Sequence, residues 1–379
     1  MEKLAIPIVQ TQEISCCGGP ARPPAGPHER AGYQLCHYVA DFVESPVGPV
    51  PRLPTSLSWS DRLGTIRARL GLRRDDYLVA PGLYCVGRPD HQTPVLVTAN
   101  YKLTLDTLRE NLVGISAWIL VLDTRGINVW CAAAHQTFGT VELVRRLSVC
   151  RLDQVVEHRR LIVPQLGAAG VSAQRTRKQS GFEVVWGPLR ATDLSGFLAN
   201  GSRADGPMRQ LTFSLRERLV LIPVELTLAL KPALFVLAVI FLWSGLGPGI
   251  FSPTAAWSRW LLATPAFLSG LLAGAVLVPL FLPWLPFRAF YLKGLVAALP
   301  VAAIFWGFAT IASPLETAAC LLLCLAVSSY TAMNFTGATP YASPSGVEKE
   351  MRQGIPLQAI MALGALVLWL LSPFRGGVI

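Results

Sequence analysis

AWILVLDTRGINVWCAAAHQTFGT, residues 117–140, changes character halfway along. Its first seven residues form an apolar run of strand length and read as a buried strand. Asn128 then makes a good helix N-cap, because its side chain can accept from an otherwise orphaned backbone N–H. Counting from that cap, Cys131 is the third helical residue, where the helix dipole favours a thiolate over a thiol. Three alanines follow and predict a smooth face that suits a large flat ligand, with the sulfur pointing into it. The residues alone leave equally open a small cysteine packed in a core.

Outward from this stretch, strands and helices alternate. LYCVG (83–87) and PVLVTA (94–99) read as strands, and LTLDTLRENLVG (103–114) as a helix. VELVRRLSV (141–149) is the helix after the quoted stretch, and RRLIVPQ (159–165) and FEVVWG (182–187) are further strands. Short apolar runs between helices predict an α/β domain over residues 56–215, with a largely parallel sheet buried on both faces. Ligands of such sheets bind beyond the carboxyl ends of the strands. Those ends are Thr98-Ala99-Asn100, Asp123 to Asn128, and Pro164-Gln165-Leu166-Gly167. Residues 1–55, rich in proline, read as an irregular tail.

The rest of the chain is different. Residues 221–379 hold only seven of the 33 Lys/Arg and four of the 23 Asp/Glu. Residues 220–379 therefore read as a transmembrane domain, with spans at 226–245, 261–282, 294–312, 317–335 and 355–371. Prolines 232, 265, 279 and 300 do not exclude helices there, because neighbouring helices re-satisfy the backbone. Arg288 and Lys293 lie between spans two and three, and Lys349 and Arg352 between four and five. The other connections offer Arg259 or nothing. The positive-inside rule then puts the first domain in the cytoplasm and the C-terminus outside the inner membrane. The net charge of +10 fits an anionic leaflet better than nucleic acid, since acids intersperse the bases and no arginine stripe interleaves with aromatics. No chain of charges runs through the spans, which disfavours a transporter.

Eight cysteines show no disulfide spacing. Cys131 with His135, completed by Cys150 and His158, matches no common structural zinc pattern. Cys16-Cys17, and Cys320 with Cys324 one turn apart, could each meet a soft metal. Small apolar packing explains the second pair better.

NVWCAA (128–133) followed by TFGT (137–140) resembles the cap-helix motif of corrinoid proteins. These include the large subunit of the corrinoid iron–sulfur protein and, more closely, the mercury-methylating corrinoid family. PGLYCVG (81–87), PVLVTANYKL (94–103), RLIVPQLGAAGV (160–171) and MNFTGATPYASPSGVEKEMR (333–352) are similar to that family too. The resemblance covers residues 48 to 372 or so and implies a Rossmann-like corrinoid-binding domain followed by five membrane helices. It implies Cys131 as the lower axial cobalt ligand, and Asn128, Val129, Trp130, Ala132, Thr137, Phe138, Gly139 and Thr140 as the cap and its return turn. Thr98, Asn100, Gln165, Leu166 and Gly167 then line the rest of the corrin pocket. The implied activity is methyl transfer from the cobalt to thiol-bound Hg(II), with the methyl group supplied by a methyltetrahydrofolate-linked donor. Electrons would come from a small ferredoxin-like [4Fe–4S] partner, since this chain has no such cysteine run. The family continues with glycine, lysine, glycine before TFGT, whereas this chain has Ala134-His135-Gln136. Another methyl acceptor, or a membrane corrinoid binder without turnover, therefore stays open.

Overall fold

A computed structural model describes residues 37–72, 74, 76–307 and 313–375. Cys16-Cys17 and the end of the third expected span lie outside the described residues. The chain divides into a sheet unit up to residue 211 and a helical unit from 212 onward, to which 69–71 also belong.

In the sheet unit, seven strands lie in the order β1-β2-β3-β5-β4-β6-β7. They are β1 (Asp41–Val43), β2 (Val50–Arg52), β3 (Gly82–Val86), β4 (Val95–Ala99), β5 (Ala117–Leu122), β6 (Arg160–Pro164) and β7 (Glu183–Gly187). β5, β4, β6 and β7 are mutually parallel. The expectation of a largely parallel sheet holds for these four, and β2 also pairs in parallel with β3. β3 runs antiparallel to β5 over five residue pairs, and β1 antiparallel to β2. An apolar run records burial but not direction, so the reversal was invisible in LYCVG. The first two strands also correct the reading of residues 1–55 as irregular throughout. Gly48 takes a left-handed φ of 103° in the turn between them, and an Asp41–Arg52 ion pair joins them. The proline count concealed both features.

Side chains alternate strictly across the sheet, as the period of two requires. Cys85, Val97, Leu120 and Val163 enter one core, and Val86, Leu96, Ile119 and Ile162 the other. Helices α3 (Val129–Ala134), α4 (Thr140–Val149) and α5 (Ala173–Ser180) pack on the first face. Helices α2 (Lys102–Glu110) and α6 (Leu194–Ala199) pack on the second. β4 thus sends its helix to one face and its neighbour β6 to the other. That adjacency makes a topological switch point, where α/β sheets open a crevice.

Helix α1 (Trp59–Arg69) is tied to α2 by a buried ion cluster. Lys102 Nζ lies 2.6 Å from both Asp61 Oδ1 and Asp106 Oδ2, and Arg109 Nη2 lies 2.8 Å from both carboxylates. Burial alone would push Asp61 up, but hydrogen bonds from Lys102, Ser58 and Arg109 outweigh it and hold its carboxyl well below the usual carboxylate range.

The helical unit opens with the short α7 (Leu215–Leu219) and continues with α8 (Ile222–Ser244) and α9 (Pro253–Leu272). α9 passes through a π-turn, Ala273–Leu277, into α10 (Val278–Phe281). α11 (Phe290–Gly307), α12 (Pro314–Phe335) and α13 (Pro344–Arg375) complete it. Among the described residues, four stretches are long and apolar enough to cross a membrane: 215–244, 253–281, 314–338 and 345–375. The third expected span, 294–312, corresponds to a shorter apolar helix, 290–304. α13 extends beyond the expected span 355–371 at both ends and runs through Pro356 and Pro373. The segment 333–352, between the fourth and fifth expected spans, is mostly helical: only 336–343 separate α12 from α13. Lys293 is no open loop cation either, since its ammonium donates to the carbonyls of Leu282 and Leu285.

Candidate functional site

The stretch after β5 is built by hydrogen bonds from one buried amide. Asn100 Oδ1, at the carboxyl end of β4, accepts from Thr124 N at 3.0 Å, Thr124 Oγ1 at 2.9 Å and Gly126 N at 3.0 Å. Thr124 Oγ1 also lies 2.6 Å from Ile127 O, so its single proton is shared between that carbonyl and Asn100 Oδ1. Asn100 therefore shapes the turn that launches α3 and is no exposed pocket wall, being 3% accessible.

Asn128 caps α3 as its position suggested: Oδ1 accepts from Cys131 N at 2.9 Å. Cys131 sits in the first turn, half-buried and outside any disulfide. Cys85, by contrast, is fully enclosed in β3, and burial pushes its thiol up to about 12. A thiol so desolvated stays protonated and inert. Cys131 and Cys150 are both outside any disulfide and partly accessible, and Cys131 is the one in the capped helix α3.

The three alanines do something other than expected. Ala132 and Ala133 are completely buried, and only Ala134 is exposed. Their small side chains let α3 press onto the sheet; they do not form an open platform. α3 ends at Ala134, with His135 as its C-cap. Among the described residues, no three His, Cys, Asp or Glu side chains come together as metal ligands. The Cys131–His135 pair thus gains no completion from Cys150 or His158.

The return turn is locked from beneath. Phe138 is fully buried, its N–H donates to Ala132 O, and Thr137 Oγ1 donates to the same carbonyl. Gly139 caps α4, and Thr140 exchanges hydrogen bonds with the loop after β6: its N–H donates to Gly170 O, and its Oγ1 accepts from Ser172 N. A Cβ on Gly167 would stand 2.5 Å from the Phe138 ring, and one on Gly170 only 2.1 Å from Phe138 O. QLGAAG is therefore glycine-bearing because the cap lies on it. Gln165 accepts from Arg209 Nη1 at 3.0 Å and so ties this loop to residues beyond β7.

A cleft with a cavity of about 380 Å3 opens at the switch point. Its walls include Thr98 and Leu166, and its rim includes Asn128, Val129 and Trp130. Five of the expected site residues thus meet there. Cys131, Ala132, Gln165 and the 137–140 turn do not line it, and Phe138, Gly139, Thr140 and Gly167 form the support beneath the cap. Two further walls escaped sequence reasoning. One is the α2 face of Leu103, Thr104, Thr107 and Leu108; the other is the segment Gly187 to Ala191 after β7. The signal for the second was available, because FEVVWG also ends a parallel strand. For the first it was the spacing of 103, 104, 107 and 108 on one helical face.

Residues 73–198 match the family model described as CO dehydrogenase/acetyl-CoA synthase delta subunit. The gamma subunit of the acetyl-CoA decarbonylase/synthase complex from Methanopyrus kandleri is 33% identical over 127 residues, 33% of this chain and 27% of that protein. Its counterpart from Archaeoglobus fulgidus is 31% identical over 122 residues, 32% and 26% of the two chains. The corrinoid/iron-sulfur protein large subunit of Moorella thermoacetica is 29% identical over 114 residues, 30% and 25%. This chain is related to that large subunit. The matched part spans about a quarter of the length of these relatives, and the family match over residues 73–198 contains β3 to β7 with the whole cap.

Proposed function

We propose that this chain is a membrane-anchored, corrinoid-dependent methyltransferase that passes a methyl group from the cobalt of a bound corrinoid to thiol-bound Hg(II). One observation carries the reading: a capped helix holds a half-buried thiol at the carboxyl end of a parallel sheet, beside an open apolar cleft, in the segment related to the corrinoid/iron-sulfur large subunit.

The residues present fit such a cofactor. The cleft wall is hydrocarbon broken by the hydroxyls of Thr98, Thr104 and Thr107, which suits a flat macrocycle with an apolar rim and polar side arms. Cys131 would hold the cobalt, and Asn128, Val129 and Trp130 would help to line the space the cofactor occupies. When bound, the corrinoid supplies a metal centre that carries a methyl group and releases it to an electrophile. Asn128 fixes the first turn so that Cys131 is presented on a rigid backbone. Asn100 fixes the approach to that turn, and Phe138 fixes its exit. A thiolate in that position donates electron density more strongly than a neutral ligand, which favours delivery of methyl with its bonding pair. Hg(II) is an electrophile that needs such delivery.

The methyl donor in this reading is methyltetrahydrofolate-linked, and a small ferredoxin-like [4Fe–4S] protein restores the reduced cofactor. The apolar helices anchor the chain in the inner membrane with the sheet unit in the cytoplasm, an orientation supported by Arg288, Lys349 and Arg352. A second reading, methyl transfer to another acceptor or corrinoid binding without turnover, is favoured by Ala134-His135-Gln136. Gln136 occupies a left-handed conformation, φ 62°, at the place where the resembling family has glycine.

Anaerobic reconstitution with a corrinoid tests the proposal. The visible spectrum of the wild type should differ from that of Cys131→Ala, and identical spectra would remove the cysteine from the account. Isotopic Hg(II) incubated with the reconstituted protein, reductant and methyl donor then separates the acceptors: absence of methylmercury with intact methyl loading selects the second reading.

A further inference from the structure

Helix α1 is amphipathic the wrong way round for a water-soluble domain. Its inward face is small or polar: Asp61, Gly64 and Ala68, with Asp61 in the buried ion cluster and Gly64 pressed against the Tyr77 ring. Its outward face carries Trp59, Leu63 and Ile66 at the i, i+4, i+7 spacing of one helical stripe. Trp59 is 76% exposed and Ile66 51%. Leu72, just beyond the helix, is 53% exposed. A surface helix normally turns such a stripe to the core; here α2 and Tyr77 take the other side.

The exposed stripe is edged by cations. Arg62 and Arg69 flank it on one side and Arg67 on the other, all three solvent-exposed, and no acidic residue lies on the outward face. The end of the helix also leads directly to the membrane-type unit. Arg69–Gly71 belong to that unit, and Gly71 lies beside the Val224 and Thr227 side chains at the start of α8.

We propose that the outward face of α1 is an interfacial lipid-binding surface. Trp59, Leu63, Ile66 and Leu72 enter the headgroup–acyl boundary of the bilayer crossed by the apolar helices, and Arg62, Arg67 and Arg69 contact anionic phosphates. A tryptophan on the apolar face and arginines along its edges are the chemistry of a helix lying in a membrane interface. Each arginine near an anionic leaflet contributes a factor of about five in association. The inference rests on the apolar helices spanning a membrane, and its occupant is lipid rather than a second copy or another protein.

The full-length chain is reconstituted in nanodiscs of phosphatidylcholine with or without phosphatidylglycerol, carrying the photo-crosslinker benzoylphenylalanine at Leu63 or, separately, at Ser60. A phospholipid adduct at position 63, increased several-fold by phosphatidylglycerol and weak at position 60, is the expected result. The triple variant Arg62→Gln, Arg67→Gln, Arg69→Gln should lose that increase while its segment 59–69 keeps its hydrogen-exchange protection. Crosslinking at 63 to a second copy of the chain, or no lipid adduct in a protein that still co-elutes with the nanodiscs, overturns the proposal. Failure to enter nanodiscs at all would instead overturn the membrane-anchoring reading on which it rests.

Discussion

Phe138, Leu122 and Val163 of the sheet unit are completely buried, whereas Leu228, Leu234 and Phe235 of the helical unit stand more than half exposed. The two units also differ in what holds their elements together. Around the sheet, large side chains fill two continuous cores. In the helical unit the closest contacts are made by small residues. A Cβ on Gly270 would stand 2.5 Å from Cys324 O, and one on Gly274 only 2.3 Å from Ser328 O and 1.9 Å from Thr331 Oγ1. A Cβ on Gly294, in α11, would likewise stand 2.5 Å from Ser328 O. Helix α12 is thus gripped between α9 and α11 by backbone approach. If these helices cross a membrane, as proposed, burying leucine gains nothing over leaving it in lipid, and packing rests on close approach and interhelical hydrogen bonds. Arg259 illustrates the second: it pairs with Glu316 at 3.0 Å and donates to Ser372 Oγ and to the carbonyls of Ser244 and Trp369. One residue so joins α8, α9, α12 and α13.

If that contrast is sound, truncating a large side chain should matter most in the sheet unit. Phe138→Ala removes a fully buried ring and opens a cavity under the cap, at a cost of about 3–5 kcal/mol. Thermal unfolding followed in the sheet unit should drop accordingly while the helical unit melts as before. A change under about 1 kcal/mol would mean that the cap collapses to fill the space.

Breaking the ion cluster comes next. Asp61→Asn leaves Lys102, Arg109 and Asp106 buried with one uncompensated positive charge, at a cost of about 3 kcal/mol. Because the folded-state value of Asp61 is depressed, its stabilisation is fully present above its ordinary value of 3.8 and is lost as the pH falls through the lower folded value. The wild-type advantage over Asp61→Asn should therefore be flat from neutral pH to about 4 and shrink below it. Urea unfolding across that range measures it, and an advantage independent of pH in strong acid would dissociate the cluster from stability.

The helical unit should respond to added rather than removed volume. Gly274→Ala forces a methyl group into the α12 backbone and costs about 2 kcal/mol, whereas Leu234→Ala, on the exposed face, should change little. Unfolding in detergent compares them. Equal effects would erase the distinction between the units.

These particular residues also show how far sequence reading reaches. Apolar runs mark β3 to β7 because a doubly covered strand has no polar face, and Asn128 marks the start of α3 because few residues can accept from a first-turn amide. Strand direction left no trace in LYCVG, since burial is the same in either direction. The role of Asn100 was hidden for a related reason. A polar residue at a strand end looks like a ligand contact, and only the fold shows its oxygen shared among three donors of the next loop. The alanines after Cys131 were misassigned because small residues serve a ligand face and a tight helix–sheet contact equally well. The rules for water-soluble helices would end a helix at Pro356 and Pro373, yet α13 runs through both.

The smallest expected effect separates backbone from side chain in the cap itself. Gln136 is held at φ 62°, a conformation that costs a residue with a Cβ about 1 kcal/mol. In partial compensation its Nε2 donates to Ala133 O at 3.4 Å and Ala169 O at 3.3 Å, bridging the end of α3 to the loop after β6. Gln136→Ala keeps the backbone cost and loses the bridge, so it should destabilise the sheet unit by about 0.5 kcal/mol. Gln136→Gly loses the same bridge but relieves the backbone, and it should come out level with the wild type or up to about 0.5 kcal/mol more stable. The two variants differ by the backbone contribution alone. If they unfold at the same temperature, the left-handed turn is no strain on the cap, and glycine at that position in the resembling family serves some purpose other than conformational relief.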